Sequence, residues 1–150
     1  MSVYEAKEYI ESYLERFSGV RRYMTEVVER AREQGYVETL MHRRRSLPEL
    51  TATNHATRSF GERVALNMPI QGTAADVMKL AMVRVFDRLR REAHGARLLL
   101  QVHDELIVEC PEAMAGQVAR LLVEEMEGVM RLSVPLTVEA HWGGSWLEAK

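Results

Sequence analysis

Apolar residues fall at helical spacing over most of the chain. Tyr9, Ile10, Tyr13, Leu14 and Phe17 form one such stripe, which predicts a helix over residues 2–17. Ser2 with Glu5 gives that helix a capping box. Ser18-Gly19 interrupts the pattern, and a second helix is predicted over 20–34, with Tyr23, Val27, Val28 and Ala31 inward and Gly35 as its stop. Both stripes read as core rather than as base-stacking surfaces, the commoner use of such spacing. Residues 36–40 read as a short strand. Helical spacing returns over 57–68, and again from Thr73-Ala74-Ala75-Asp76, a second capping signal, to about Ala93, with Val77, Leu80, Ala81, Val85 and Leu89 buried. Pro69 between these stretches leaves their continuity open. A last helix is predicted over 112–130, with Val118, Leu121, Leu122 and Met126 inward. Residues 136–140 alternate apolar and polar, as a half-buried antiparallel strand does. Gly143-Gly144 turns the chain so that Trp146-Leu147 packs back on the core.

Residues 98–110 break the helical rhythm. Two apolar, β-prone arms flank His103-Asp104-Glu105, and Gly95 and Pro111 close the ends, which predicts a hairpin turning at His103-Asp104. His-Asp is not one of the easy two-residue hairpin turns. On a straight strand Asp104 and Glu105 point to opposite faces, but at a tight turn both approach one point. Two carboxylates there repel, and a hard cation such as Mg²⁺ relieves the repulsion with oxygen ligands. An ordinary solvated acidic turn accounts for the same residues on spacing alone. The expected fold class is α+β: an antiparallel sheet made of the hairpin at 97–110 plus the C-terminal strand, covered by helices on one side.

Length and composition fit one globular domain with a real core. A net charge of −2 does not mark a nucleic-acid binder in bulk, so any such site must be a local patch. The basic residues are 17 Arg against 3 Lys. Arginine favours bidentate phosphate contacts, although genome composition and growth temperature give the same bias. A single Cys110 rules out an internal disulfide and fits a reducing compartment. No apolar run approaches the roughly 20 residues of a membrane span, and no signal peptide pattern opens the chain. The expectation is a soluble cytoplasmic protein without a membrane partner.

The local patches are two. Arg43-Arg44-Arg45 lies in an extended region ending near Pro48, either a solvated loop or a phosphate clamp. Arg63 and Asn67 are four apart and share a helix face, and Gln71 continues the spacing if the helix passes through Pro69. Such a ridge is either an exposed polar face or a reader of minor-groove acceptors, which report pairing geometry rather than sequence. Arg58 is a weaker candidate.

Gln101-Val102-His103-Asp104-Glu105 resembles the C-terminal carboxylate motif of family A DNA polymerases, the bacterial DNA polymerase I family. Gly35-Tyr36-Val37-Glu38-Thr39-Leu40 with Arg43-Arg44-Arg45, then Asn67-Met68-Pro69-Ile70-Gln71-Gly72-Thr73-Ala74-Ala75-Asp76, and the closing Trp146-Leu147-Glu148-Ala149-Lys150 are similar to the same family in the same order. The two N-terminal helices resemble the segment just downstream of its nucleotide-binding fingers helix. The resemblance implies a palm-type sheet and a DNA-directed DNA polymerase, which joins deoxynucleotides to a primer 3′-hydroxyl on primer-template DNA with two metal ions, Mg²⁺. It implies that Asp104 is a metal ligand and that Glu105 supports the site electrostatically or through water. His103 stands near the primer terminus. Arg63, Asn67 and Gln71 contact the duplex, and Arg43, Arg44 and Arg45 contribute a phosphate clamp.

Two departures qualify this. Many members carry Gly where this chain has His42. The family's second indispensable aspartate and its fingers helix lie on upstream segments whose motifs do not occur in these 150 residues. The chain is therefore expected to be a C-terminal palm and fingers-base segment with no internal boundary, inactive without an N-terminal partner segment in cis or trans. A polymerase remnant or non-catalytic duplex-binding module is the alternative. A metal hydrolase built on His103 and Asp104 lacks further ligands at recognisable spacing.

Overall fold

The computed structural model describes residues 2–149. The chain is α+β and divides into two compact units, Met1–Thr73 and Ala74–Lys150.

The first unit opens with α1 (Val3–Arg16), whose N-terminus carries the expected capping box between Ser2 and Glu5. The helix ends at Phe17, one residue before the expected break, and α2 (Ser18–Gln34) starts at once. Gly35, at φ 81°, closes α2 in the left-handed conformation that glycine enters freely. β1 (Tyr36–Glu38) and β2 (Arg44–Ser46) follow as an antiparallel hairpin, with Val37 opposite Arg45 and Glu38 opposite Arg44. β1 is the strand expected at 36–40, two residues shorter, while β2 falls in the stretch read only as extended, so the expected sheet did not include this pair. A turn of 3-10 helix, Pro48–Thr51, leads to α3 (His55–Glu92). The core here joins Ala31, Val37, Leu47, Leu50, Ala65 and Met68. Tyr23 donates its hydroxyl to the Leu66 carbonyl at 3.3 Å, tying α2 to α3.

The N-terminal aromatic stripe is not core. No residue of α1 is buried, and Tyr9 is 79% exposed, Tyr13 52% and Phe17 46%. Periodicity marks an apolar face but not what covers it. This exposed face predicts concentration-dependent self-association. A single sharp monomer peak on sizing columns at high concentration would count against it.

α3 runs through Pro69 without a break, so the two expected helices are one. Thr73 does not cap a helix start, because it sits inside α3. His42 and His103 are the non-glycine residues at positive φ among those described, at 61° and 52°. At His42 a glycine would remove a steric cost, offset in part by glycine's greater unfolded entropy. His42→Gly is expected to raise stability by up to about 1 kcal/mol, read as a urea midpoint; a lower midpoint would contradict it.

In the second unit, α3 continues and β3 (Arg97–Val102) pairs antiparallel with β4 (Glu105–Glu109), as the hairpin reading expects. Pro111 and a 3-10 turn, Glu112–Met114, deliver α4 (Ala115–Glu127). Val85, Leu89, Ala93, Val118 and Leu121 form the core, with Leu98, Leu106 and Val108 packed against it. Arg88 joins Glu124 at 2.7 Å and Glu92 and Glu125 at 3.1 Å, and these carboxylates hold its guanidinium above its ordinary pKa. The expected C-terminal strand at 136–140 does not form, and among the described residues each sheet has two strands. A strand needs a hydrogen-bonded neighbour, whereas this segment is fastened by Val138 N–H donating to Glu127 Oε1 at 3.0 Å. Leu147 does not pack back as expected, being 84% exposed, whereas Trp146 is 45% exposed and lines the groove described below. Lys150 lies outside the described residues.

Candidate functional site

The hairpin tip is built by its own backbone. Val102 opposes Glu105, so His103 and Asp104 are the two turn residues. His103 takes the left-handed conformation that hairpin turns of this length demand of their first residue. The Gln101 side-chain amide donates to the His103 carbonyl and straps the turn from below. Asp104 and Glu105 are exposed, and neither carboxylate has a hydrogen-bond or ion-pair partner among the described residues. Both line a groove of about 1340 Å³ that also touches Ile107, Leu122, Met126 and Trp142. The 137–142 segment borders the same groove, so it faces β4 across open space instead of pairing with it.

The basic candidates belong to the first unit. Arg63, Asn67 and Gln71 lie along one exposed ridge of α3, and no side-chain partner engages them among the described residues. The three consecutive arginines, for at least part of which the resemblance implies a phosphate clamp, are divided by their contacts. Arg43 donates from Nη2 to the Gly72 carbonyl at 3.0 Å. Arg44 bonds Glu38 at 3.1 Å and stacks over the Tyr36 ring at 4.5 Å. Arg45 is exposed and carries no such contact among the described residues. Arg58 is half-buried and donates to the Ala52 carbonyl at 3.2 Å, a structural use.

Arg44, and after it His42, hold the Glu38 carboxyl below its ordinary range. A depressed carboxylate contributes stability above its unfolded pKa and loses it as pH falls through the folded value. The β1–β2 pairing is accordingly expected to loosen on the acid side of the usual carboxylate range, visible as faster amide exchange at Val37 and Arg45. Exchange unchanged down to full protonation of Glu38 would contradict this.

Two residues with structural leverage on these sites escaped the sequence reading. Gln101 was visible only as part of a motif. Thr73 carried the signal of a cap, yet it accepts the Leu40 N–H at 3.0 Å and donates to the Pro69 carbonyl.

Residues 1–148 match DNA polymerase family A. The chain belongs to that family. It is 53% identical to DNA polymerase I of Bacillus caldotenax and 54% identical to the thermostable DNA polymerase I of Thermus aquaticus, in each case over 97% of this chain and 17% of the relative. Among solved structures, the POL domain of Pol1 from M. smegmatis, in complex with DNA primer-template and dNTP, superposes with a TM-score of 0.95 at 46% identity. That match covers 99% of this chain and 26% of the other. This member of DNA polymerase family A thus spans about one sixth of the length of the curated relatives it matches. No helix among the described residues is long and apolar enough to cross a membrane.

Membership in DNA polymerase family A implies a divalent metal. The donor chemistry at the tip suits one, since Asp104 and Glu105 offer hard oxygen ligands without competing partners. The donor number does not complete a site: no three His, Cys, Asp or Glu residues gather to hold an ion among those described. The tip fits as part of a ligand set.

Proposed function

We propose that this chain is the C-terminal, palm-side part of a template-directed DNA polymerase, extending a primer 3′-hydroxyl with deoxynucleotides and requiring an upstream polymerase segment for turnover. The observation that carries the reading is the family match over nearly the whole chain, combined with two unpartnered carboxylates raised on a strapped hairpin turn. The primer-template and dNTP named for the M. smegmatis relative are the proposed partners. Replication or repair synthesis in the cytoplasm is the corresponding cellular role.

In this reading Asp104 is a ligand of the Mg²⁺ site, and Glu105 beside it adds negative potential. His103 stands near the primer terminus. Arg63, Asn67 and Gln71 contact the duplex through acceptors shared by all base pairs, which suits an enzyme that must accept any correctly paired sequence. Arg45 contacts a backbone phosphate, while Arg43 and Arg44 shape the turn that presents it. The bound metal supplies charge neutralisation for phosphoryl transfer, which needs positioning more than covalent help. The protein's own contribution is to fix the carboxylates and the duplex.

The incomplete donor set favours one second reading, a duplex-binding module without turnover. Primer extension with Mg²⁺ separates the two. The isolated chain is expected to bind primer-template without extending it, and adding the upstream segment is expected to restore Asp104-dependent synthesis. Extension by the isolated chain removes the requirement for a partner, and binding without restoration supports the second reading.

A further inference from the structure

The β1–β2 turn is fastened to α3 one turn beyond Pro69, next to Gln71. Thr73 supplies the central bonds: its hydroxyl accepts the Leu40 N–H at 3.0 Å and donates to the Pro69 carbonyl. Arg43 adds a second fastening by donating to the Gly72 carbonyl at 3.0 Å. Below them, Thr39 is buried, and its hydroxyl accepts the N–H groups of Met41 and Arg43 at 3.2 Å each. Thr39 N–H donates to the Arg43 carbonyl at 3.0 Å, closing the turn on itself. The approach is close enough to need glycine at position 72, where a Cβ would stand 2.7 Å from Thr39 Cγ2.

We propose that Thr73, with Arg43, is a positioning residue for duplex binding: it locks the β1–β2 turn onto α3 so that Arg45 and the Arg63–Asn67–Gln71 ridge engage one duplex together. The inference rests on the duplex-contact reading of those residues and adds what holds them in register. Two features point to a latch. First, its bonds join the element carrying Arg45 to the helix carrying the ridge, all within one compact unit. Second, the Thr73 hydroxyl acts as donor and acceptor at once, a double role that serine can fill and valine cannot.

The test is anisotropy of a labelled primer-template duplex bound to the full chain, over a salt series and well below the melting temperature of each variant. Thr73→Val is expected to weaken binding several-fold and to flatten the slope of log affinity against log salt by about one, the signature of one lost phosphate contact. Arg45→Ala is expected to flatten it equally, and the double variant no further. Thr73→Ser is expected to restore wild-type affinity and slope. Leu40 amide exchange in the free protein reports whether the latch has opened. If Thr73→Val does not fold, Thr73→Cys, close in size with only a weak donor, takes its place. Faster Leu40 exchange with unchanged affinity and slope overturns the proposal, as does additivity of the Thr73 and Arg45 effects. Failure of the wild-type chain to bind the duplex overturns the underlying duplex-contact reading instead.

Discussion

With the upstream segment restored, Asp104→Asn is expected to slow single-turnover primer extension by about 10³-fold or more, equivalent to about 4 kcal/mol of lost transition-state stabilisation. Asparagine keeps the size of the side chain and removes the charge that attracts a divalent ion, so duplex affinity is expected to change by less than about two-fold. Those two results together locate the loss in chemistry rather than in binding. Glu105→Gln is expected to cost about ten-fold, because it removes field at the site without removing a proposed ligand. An Asp104→Asn enzyme retaining more than about a tenth of wild-type rate would dismiss the carboxylate from the metal site. The turn itself is expected to survive both substitutions, since its strap runs from Gln101 to the His103 carbonyl and involves neither carboxylate.

Leu89→Ala is expected to destabilise the chain by about 2–5 kcal/mol, the cost of lost burial plus the cavity left behind. Leu89 is 1% exposed and sits where α3, α4 and the hairpin share one core. That core holds β3 and β4 from below through Leu98, Leu106 and Val108, so its loss is expected to disorder the carboxylate tip as well. Arg63→Ala, on the exposed ridge, is expected to stay within about 0.5 kcal/mol of wild type. Urea unfolding followed by helix signal measures both. A Leu89→Ala midpoint indistinguishable from that of Arg63→Ala would mean the second unit is not held by this cluster.

The hairpin at 97–109 was legible because strand residues, a polar turn and closing Gly95 and Pro111 all agree on one local structure. The capping box at Ser2 and the glycine stop at Gly35 were legible for the same reason. The failures share a different cause: each depended on a neighbour the pattern does not encode. Alternation at 136–140 signals a strand only if a partner edge is hydrogen-bonded to it, and that segment stands across a groove from β4. The α1 stripe signals burial only if something covers it. Thr73 looked like a cap because capping and back-bonding to a carbonyl four residues earlier use the same hydroxyl, and only the continuous helix through Pro69 decides between them. At the candidate sites, sequence could not divide Arg43, Arg44 and Arg45 between a solvated loop and a phosphate clamp. Their separate partners, a helix carbonyl, a carboxylate with an aromatic ring, and solvent, became visible only in three dimensions.

The register of β3 against β4 shifts between Leu98 and Leu100, which leaves Leu99 as an extra residue on one arm. Side chains alternate along a strand, so one inserted residue inverts the parity of everything beyond it. Leu98 lies opposite Val108 on the core side, while Leu100 lies opposite Ile107 and lines the groove. Gln101 thereby falls opposite Leu106, where it is exposed and its amide reaches the turn. Deleting Leu99 would make the ladder continuous and leave Gln101 opposite Leu106, so the bond from its amide to the His103 carbonyl is expected to survive. The hairpin thus absorbs the added leucine away from the turn, and the acidic tip is expected to tolerate its loss.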